Sequence, residues 1–231
     1  MQKSGSVICG GGEVGTALGA VLQQYEPVVI DPKLGIPFDL PENVKYLHIC
    51  FPFSASFEEE VKKYQQQFQP EFTIIHSTVP VGTSRKLNAL HSPVVGLHPF
   101  LYEGIKTFTR FISGPEASLV ADYFRRAGLD VYLFDKPETT ELFKILDTTY
   151  YALCIEYTKE IKRLCIQHDV PFEGWTLYNQ DYNEGYASLQ YPEFVRPNLV
   201  PIMKPQGGHC TIPNCELLST PFTELIKKLN E

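Results

Sequence analysis

Four stretches of the 231-residue chain carry side chains whose types and spacing could do chemistry. Lys144 and Thr148 fall one turn apart on a helical pattern and so share a face. Set among Phe143, Ile145 and Leu146, Lys144 is either a solvated surface group or a partly desolvated amine able to accept a proton from a hydroxyl. Gly207-Gly208-His209-Cys210 places a thiol behind two glycines, just before a helix start expected at Pro213 or Asn214. A helix N-terminus favours a thiolate, so Cys210 is a candidate nucleophile, or else a buried cysteine in a glycine turn. His76-Ser77-Thr78-Val79-Pro80-Val81-Gly82-Thr83 offers hydroxyls at Ser77 and Thr78 to a water or a substrate oxygen. Its plain alternative is a turn whose Thr83 or Ser84 caps a helix. His98, before Pro99, is a candidate base or an ordinary hydrogen-bonded imidazole.

A fifth stretch binds rather than reacts. Val7 to Cys9 is an apolar strand running into Gly10-x-Gly12-x-x-Gly15, and a helical pattern follows at once. A second apolar strand, Val28 to Ile30, ends in Asp31, sixteen residues after Gly15. The first glycine permits the tight turn, the second lets backbone approach a pyrophosphate, and the third lets helix pack on strand. The helix N-terminus faces the phosphates with unsatisfied N–H groups. Asp31 can accept from the adenine ribose hydroxyls and would repel a 2′-phosphate. The pattern therefore points to NAD rather than NADP, with Lys33 weighing the other way.

Those groups need a scaffold. Apolar strands are expected at Val7–Cys9, Val28–Ile30, Tyr46–Phe51, Phe72–His76, Val94–Leu97, Phe108–Ser113 and Val131–Phe134. Helical stretches lie between them at Glu13–Gln24, Ser56–Phe68, Thr83–Leu90 and Glu116–Ala127. The alternation predicts an α/β fold, a Rossmann-type doubly wound and mostly parallel sheet. Pro32, Gly35, Pro37 and Pro41 break up the crossover after Asp31, so no proper helix is expected there. From Glu138 to His168 there is neither Gly nor Pro, which predicts one helix of roughly thirty residues. The expected organisation is a dinucleotide-binding domain over 1–136 and a smaller all-helical domain over 137–231, built on that helix and ending in a short amphipathic helix at Phe222–Leu229. A helix of that length suggests a subunit interface, hence a homodimer.

Composition narrows the classes. A net charge of -7 without a basic stripe argues against nucleic acid as a main partner. The chain shows neither a basic-plus-apolar leader nor an apolar run of spanning length, so a soluble cytoplasmic protein is expected, with no membrane partner. Cys9, Cys50, Cys154 and Cys165 read as small buried apolar residues. No paired C-x-x-C occurs, and His209, Cys210 and Cys215 make a poor ligand set, so no metal is expected.

The motifs and their order resemble the UDP-glucose/GDP-mannose dehydrogenase family of the 6-phosphogluconate dehydrogenase-like superfamily. The turn at Gly10 to Gly15 resembles that family's GxGxVG, and Ser77 to Thr83 reproduces its S-T-V-P-x-G-T segment. Glu141-Leu142-Phe143-Lys144 resembles the start of its lysine helix, Glu156 to Ile161 a later part of that helix, and Gly207 to Cys210 its G-G-x-C motif. The resemblance implies two successive NAD-dependent oxidations, alcohol to aldehyde and then, through a cysteine thiohemiacetal and thioester, to acid. It implies Cys210 as nucleophile, Lys144 as oxyanion stabiliser or proton shuttle, and Thr78 as the residue that positions water, with Thr148 and Asn214 at two further catalytic positions. As cofactor-binding residues we read Gly10, Gly12, Glu13, Val14, Gly15, Asp31, Lys33, Pro52, Ser77 and Thr78.

Three positions depart from the pattern. Thr148 stands where the family has asparagine, Asn214 where it has aspartate, and Val94 where it has a glutamate after the proline. The family's third domain, which holds the nucleotide part of the substrate, is not expected within this sequence. The leading reading is an NAD-dependent dehydrogenase acting on a hydroxyl of a sugar-like or other small substrate. A one-step hydroxyacid dehydrogenase, with Arg196 or Lys204 as carboxylate anchor, is the first alternative. A catalytically silent NAD-binding protein is the second.

Overall fold

The structure, a computed structural model, describes residues 5–33, 40–208 and 210–231. The chain divides into two compact units, Met1–Ile145 and Leu146–Glu231.

The first unit is built on a seven-stranded sheet: β1 (Gly5–Cys9), β2 (Val28–Ile30), β3 (Val44–Ile49), β4 (Phe72–Ile75), β5 (Leu90–His91), β6 (Arg110–Ser113) and β7 (Val131–Phe134). Their order is β2-β1-β3-β4-β5-β6-β7. All pairings are parallel except β5 with β6. The doubly wound, mostly parallel α/β sheet is therefore as expected. Helices α1 (Glu13–Val21), α2 (Phe57–Phe68), α3 (Thr83–Lys86), α4 (Leu101–Thr107) and α5 (Ala117–Arg126) connect the strands.

Strand alternation explains why both faces are covered. Val7 and Cys9 join one apolar cluster with Leu47, Ile49, Ile75, Phe57 and Val61. Ile8 joins another with Tyr46, Ile74, Ile112, Leu18 and Phe124. Successive side chains point to opposite faces, so strands without a polar face must be sandwiched between helix layers. A polar belt crosses the second of these cores. The Tyr123 hydroxyl lies 2.9 Å from Ser6 Oγ and 3.2 Å from His48 Nε2, and His48 Nδ1 lies 2.9 Å from His76 Nε2. Arg110, itself buried, meets His76 and donates to the Ser92 carbonyl at 2.7 Å.

The fifth strand is a correction. Val94–Leu97 is not extended pairing strand; the ladder is Leu90–His91, and the helix before it stops at Lys86. Pro93 lacks the N–H the ladder needs. Beyond it Gly96 lies so close to Gly104 that a Cβ on Gly104 would sit 2.7 Å from the Gly96 Cα, which seats α4, a helix not foreseen, against that segment. The crossover after Asp31 falls largely on residues 34–39, which lie outside the described residues.

The second unit is helical. The long helix α6 runs Glu138–Gln167, close to its expected bounds, and its first two turns belong to the first unit. It is followed by α7 (Phe172–Ser188), α8 (Thr211–Cys215) and α9 (Pro221–Leu229). Helix α7 was not expected from the sequence, and α8 begins at Thr211, ahead of the expected Pro213 or Asn214. The buried apolar centre of this unit is Ala152, Cys215 and Ile226, with Leu153 and Ile212 against it. Cys154 and Cys165 are half-buried rather than buried. No helix among the described residues is long and apolar enough to cross a membrane.

Candidate active site

The site is best built from the strand ends. Chain reversal occurs beside β1, with β2 on one side and β3 on the other, so a crevice opens at their carboxyl ends. The turn after β1 has the glycine chemistry its sequence promised. Gly10 adopts a φ of +106°, open to glycine but strained for other residues. A Cβ on Gly15 would fall 1.8 Å from the Gly10 carbonyl oxygen, so helix α1 packs onto the turn only because Gly15 has none. Gly12, the residue preceding α1, has open space where its Cβ would be, which is the approach a pyrophosphate needs.

Asp31 follows β2 and reaches back to this turn. Its carboxylate accepts from the Gly11 N–H at 2.8 Å and from the Lys33 N–H at 2.8 Å. These bonds, that to Lys33 first, hold its pKa below the usual carboxylate value. Pro52 is exposed just past β3, and Val14 is half-buried against the core. Glu13, in the first turn of α1, pairs with His98, which precedes a cis proline at Pro99. That contact gives His98 a carboxylate partner beside the coenzyme turn.

Past β4, the Ser77 hydroxyl donates to the Phe51 carbonyl at 2.6 Å, tying this strand end to the one beside it. Ser77 and Thr78 are both half-buried. The Thr83 hydroxyl donates to the Pro80 carbonyl at 2.7 Å, so it closes the turn instead of facing the crevice. Gly10, Gly12, Glu13, Val14, Gly15, Asp31, Pro52, Ser77 and Thr78 thus gather along one edge of the parallel strands.

Lys144 is half-buried on α6, one turn beyond Glu141. Glu141 is fully buried, and its two oxygens accept from the Gly82 N–H at 2.6 Å and the Ser84 N–H at 2.7 Å. Burial raises its pKa, and the two N–H bonds oppose that rise. His91 lies between the Ser77 carbonyl, 3.1 Å from Nε2, and the Thr140 hydroxyl, 2.7 Å from Nδ1. Burial holds His91 neutral, with its pKa pushed down to about 3, and the charges of Arg110 and Lys144 push the same way. None of Glu141, His91 and Thr140 was singled out as a site residue from the sequence. His91 fell between two expected elements, and Thr140 and Glu141 carried no signal beyond lying at the start of the long helix.

In the second unit, Thr148 and Asn214 are brought together: the Asn214 amide donates to the Thr148 hydroxyl at 3.1 Å, and both are buried. Cys210 is exposed and immediately precedes α8; its carbonyl accepts from the Asn214 N–H at 3.3 Å. His209 lies outside the described residues. Arg196 is exposed with its guanidinium 3.4 Å over the Tyr182 ring, and Lys204 is exposed. No group of three or more metal-ligating side chains occurs among the described residues.

No protein-family model matches the chain, and no curated protein matches it. Solved structures do. A UDP-glucose dehydrogenase from Pyrobaculum islandicum superposes with a TM-score of 0.72 at 15% identity, over 98% of this chain and 68% of that one. The fold is the same. A UDP-D-ManNAc dehydrogenase from Pyrococcus horikoshii gives 0.65 at 18% identity, over 95% of this chain but only 56% of that one, so the chain spans little more than half its length. A Mycobacterium tuberculosis 3-hydroxyisobutyrate dehydrogenase, solved with L-serine, gives 0.67 at 15% identity over 97% and 91%. The chain therefore shares its fold with these dehydrogenases, the doubly wound α/β fold that the alternation of elements predicts.

Proposed function

We propose that the protein is an NAD-dependent oxidoreductase acting on a CH–OH group of a small, sugar-like substrate. The observation that carries this reading is the Asp31 carboxylate locked onto the Gly11 N–H beside an open Gly12, at the strand-order reversal of the sheet. Gly10, Gly12, Glu13, Val14 and Gly15 would cradle the pyrophosphate, Asp31 with Lys33 the adenine ribose, and Pro52, Ser77 and Thr78 the nicotinamide side. NAD, when bound, supplies the hydride acceptor. In this reading the first unit binds the coenzyme and the second supplies substrate contacts and a dimer interface.

Lys144 takes the proton of the substrate hydroxyl or stabilises the oxyanion that remains, as the carbinol carbon gives its hydride to the acceptor, and Thr78 holds a water or the substrate oxygen. In this reading Cys210 is the nucleophile toward an aldehyde, supported by its exposure just before α8, and Thr148 with Asn214 braces the helix start behind it. The shared fold of the sugar-nucleotide dehydrogenases supports the sugar-like substrate. A one-step reading is favoured by one specific observation: the Asn214 amide is committed to Thr148 and is no base for thioester hydrolysis. Thiols at Cys9, Cys50, Cys154, Cys165 and Cys215 suit a reducing cytoplasm.

The test is NADH formed per substrate consumed, over a panel of nucleotide sugars, free sugars and hydroxyacids. Two NADH per molecule, falling to one in Cys210→Ser, is the expected result for the covalent route. One NADH, unchanged in Cys210→Ser, selects the one-step dehydrogenase. NAD binding without turnover across the panel leaves a binding protein.

A further inference from the structure

Three polar side chains outside the residues assigned above converge on the end of β4. His91, on β5, is fully buried, as are Thr140 and Glu141 at the start of α6. The hydrogen-bond roles follow from the partners. A carbonyl can only accept, so the proton of His91 is on Nε2 and is donated to the Ser77 oxygen at 3.1 Å. Nδ1 is then the acceptor, and the Thr140 hydroxyl donates to it at 2.7 Å. Ser113, on β6, donates in turn to the Thr140 hydroxyl, whose own proton goes to His91. On the far side of the same segment, Glu141 takes the N–H groups of Gly82 and Ser84. The stretch from Ser77 to Ser84 is thus held at one end by His91, itself fixed by Thr140, and at the other by Glu141, the next residue of the same helix.

That arrangement exceeds what stability asks of it. A core position beside Ile75 and Val79 would take an apolar residue without cost, whereas a buried imidazole, hydroxyl and carboxylate must each be satisfied. Each of them here is spent on backbone atoms at or next to Ser77, Thr78 and Gly82, or on one another. Buried, fully partnered polar chains fix one geometry where apolar packing tolerates several.

We propose that Thr140, His91 and Glu141 are positioning residues that hold the Ser77–Thr78 strand end in register to receive the nicotinamide half of the coenzyme. This rests on the coenzyme reading above. The relay touches neither the glycine turn nor Asp31, so the adenosine half of the site is independent of it.

The experiment compares two ligands by calorimetry: NAD, which fills both halves, and ADP-ribose, which lacks the nicotinamide ring. Thr140→Val keeps the shape and removes the hydroxyl; it weakens NAD about tenfold and leaves ADP-ribose within about twofold. Thr140→Ser, which restores the donor, returns NAD affinity to the wild-type value. Glu141→Gln offers an amide N–H to a site holding two N–H donors, and gives the same split. Should Thr140→Val fail to fold, His91→Gln supplies the equivalent comparison. Equal weakening of both ligands would mark the relay as merely structural and overturn the proposal, as would an unchanged NAD affinity in Thr140→Val. A wild-type chain that binds ADP-ribose but not NAD likewise overturns it. One that binds neither overturns the coenzyme reading itself.

Discussion

The two units bury polarity in different ways. In the first, it is spread along hydrogen-bond chains embedded in two large apolar clusters on either face of a sheet. In the second, it includes a buried ion pair on α6 beside the Asn214–Thr148 bond: Lys159 Nζ donates to Glu156 Oε1 at 2.7 Å, and the two side chains are 4% and 0% exposed. Gln206 donates to the same Glu156 oxygen at 2.7 Å and to the Ala152 carbonyl at 3.1 Å. Glu156 Oε2 and Gln206 Oε1 are buried with no partner. The apolar centre around them is small, while large side chains such as Tyr150, Tyr157, Leu177 and Tyr178 are 61%, 63%, 67% and 66% exposed. The first unit can be ordered by its own core. The second has a small apolar centre beside a buried charge pair and leaves several large side chains exposed.

The sharpest way to break this contrast is to remove one charge of that pair. Lys159→Met leaves a carboxylate buried without its cation, and about 3–5 kcal/mol of unfolding free energy should be lost. Glu156→Leu added to it should recover most of the loss, because desolvation of the pair then disappears with the pair. Trp175, the sole tryptophan, lies on α7 and reports this unit alone, so the shift is read as its urea-unfolding midpoint by fluorescence. A loss below about 1 kcal/mol for the single variant would show that the pair is incidental.

Acid should strike the other unit. His48, His76 and His91 are all in the first unit and fully or almost fully buried. Burial pushes His48 and His91 down to about 3 and His76 well below its ordinary value, with Arg110 adding to each shift. The unfolded chain takes up protons near pH 6.5, where the folded chain does not, so stability is complete above that pH and falls as pH drops from 6.5 toward 3. At pH 5.5 His48 and His91 together should cost about 3 kcal/mol relative to pH 7.5. Urea unfolding followed by far-ultraviolet circular dichroism should lose stability there before Trp175 fluorescence does. Coincident shifts of both signals would mean that the buried histidines do not set the acid limit of the first unit.

This division also explains what could be read in advance. The glycine turn, Asp31, the alternating strands and the long helix are local patterns, in which each residue's type reflects its immediate neighbours in the chain. The bounds of α6 were legible to within a residue because only Gly and Pro interrupt such a helix. Strand β5 was missed because two residues carry no period, and because Val94 is apolar for packing in the core and not for pairing, while Leu97 is largely exposed. His91, Thr140 and Glu141 were missed for a related reason: their partners are 14 to 59 residues away along the chain, and nothing local marks a polar residue as satisfied. Helix α7 lacked a legible apolar stripe, being largely exposed along Leu177, Tyr178 and their neighbours.

The smallest effect on folding should come with a clear effect on assembly. Along α6, Phe143, Leu146, Tyr150, Tyr157 and Leu164 are each exposed, and they recur at intervals of three, four and seven residues. That spacing makes one seam on a helix, the pattern by which two helices pack against each other. The dimer interface of the proposed function is expected on this seam. Tyr150 and Tyr157 are 61% and 63% exposed, so Tyr150→Ser with Tyr157→Ser should change the unfolding free energy of a monomer by no more than about 0.5 kcal/mol per site. In a symmetric dimer each substitution enters the interface twice, so the same pair should convert dimer to monomer in light scattering. The two measurements separate the alternatives cleanly. A monomeric mass for the wild-type chain over a wide concentration range rejects the dimer outright. A dimer that survives both substitutions moves the interface off this seam, and the exposed aromatic side chains of α6 would then have to face something other than a second copy.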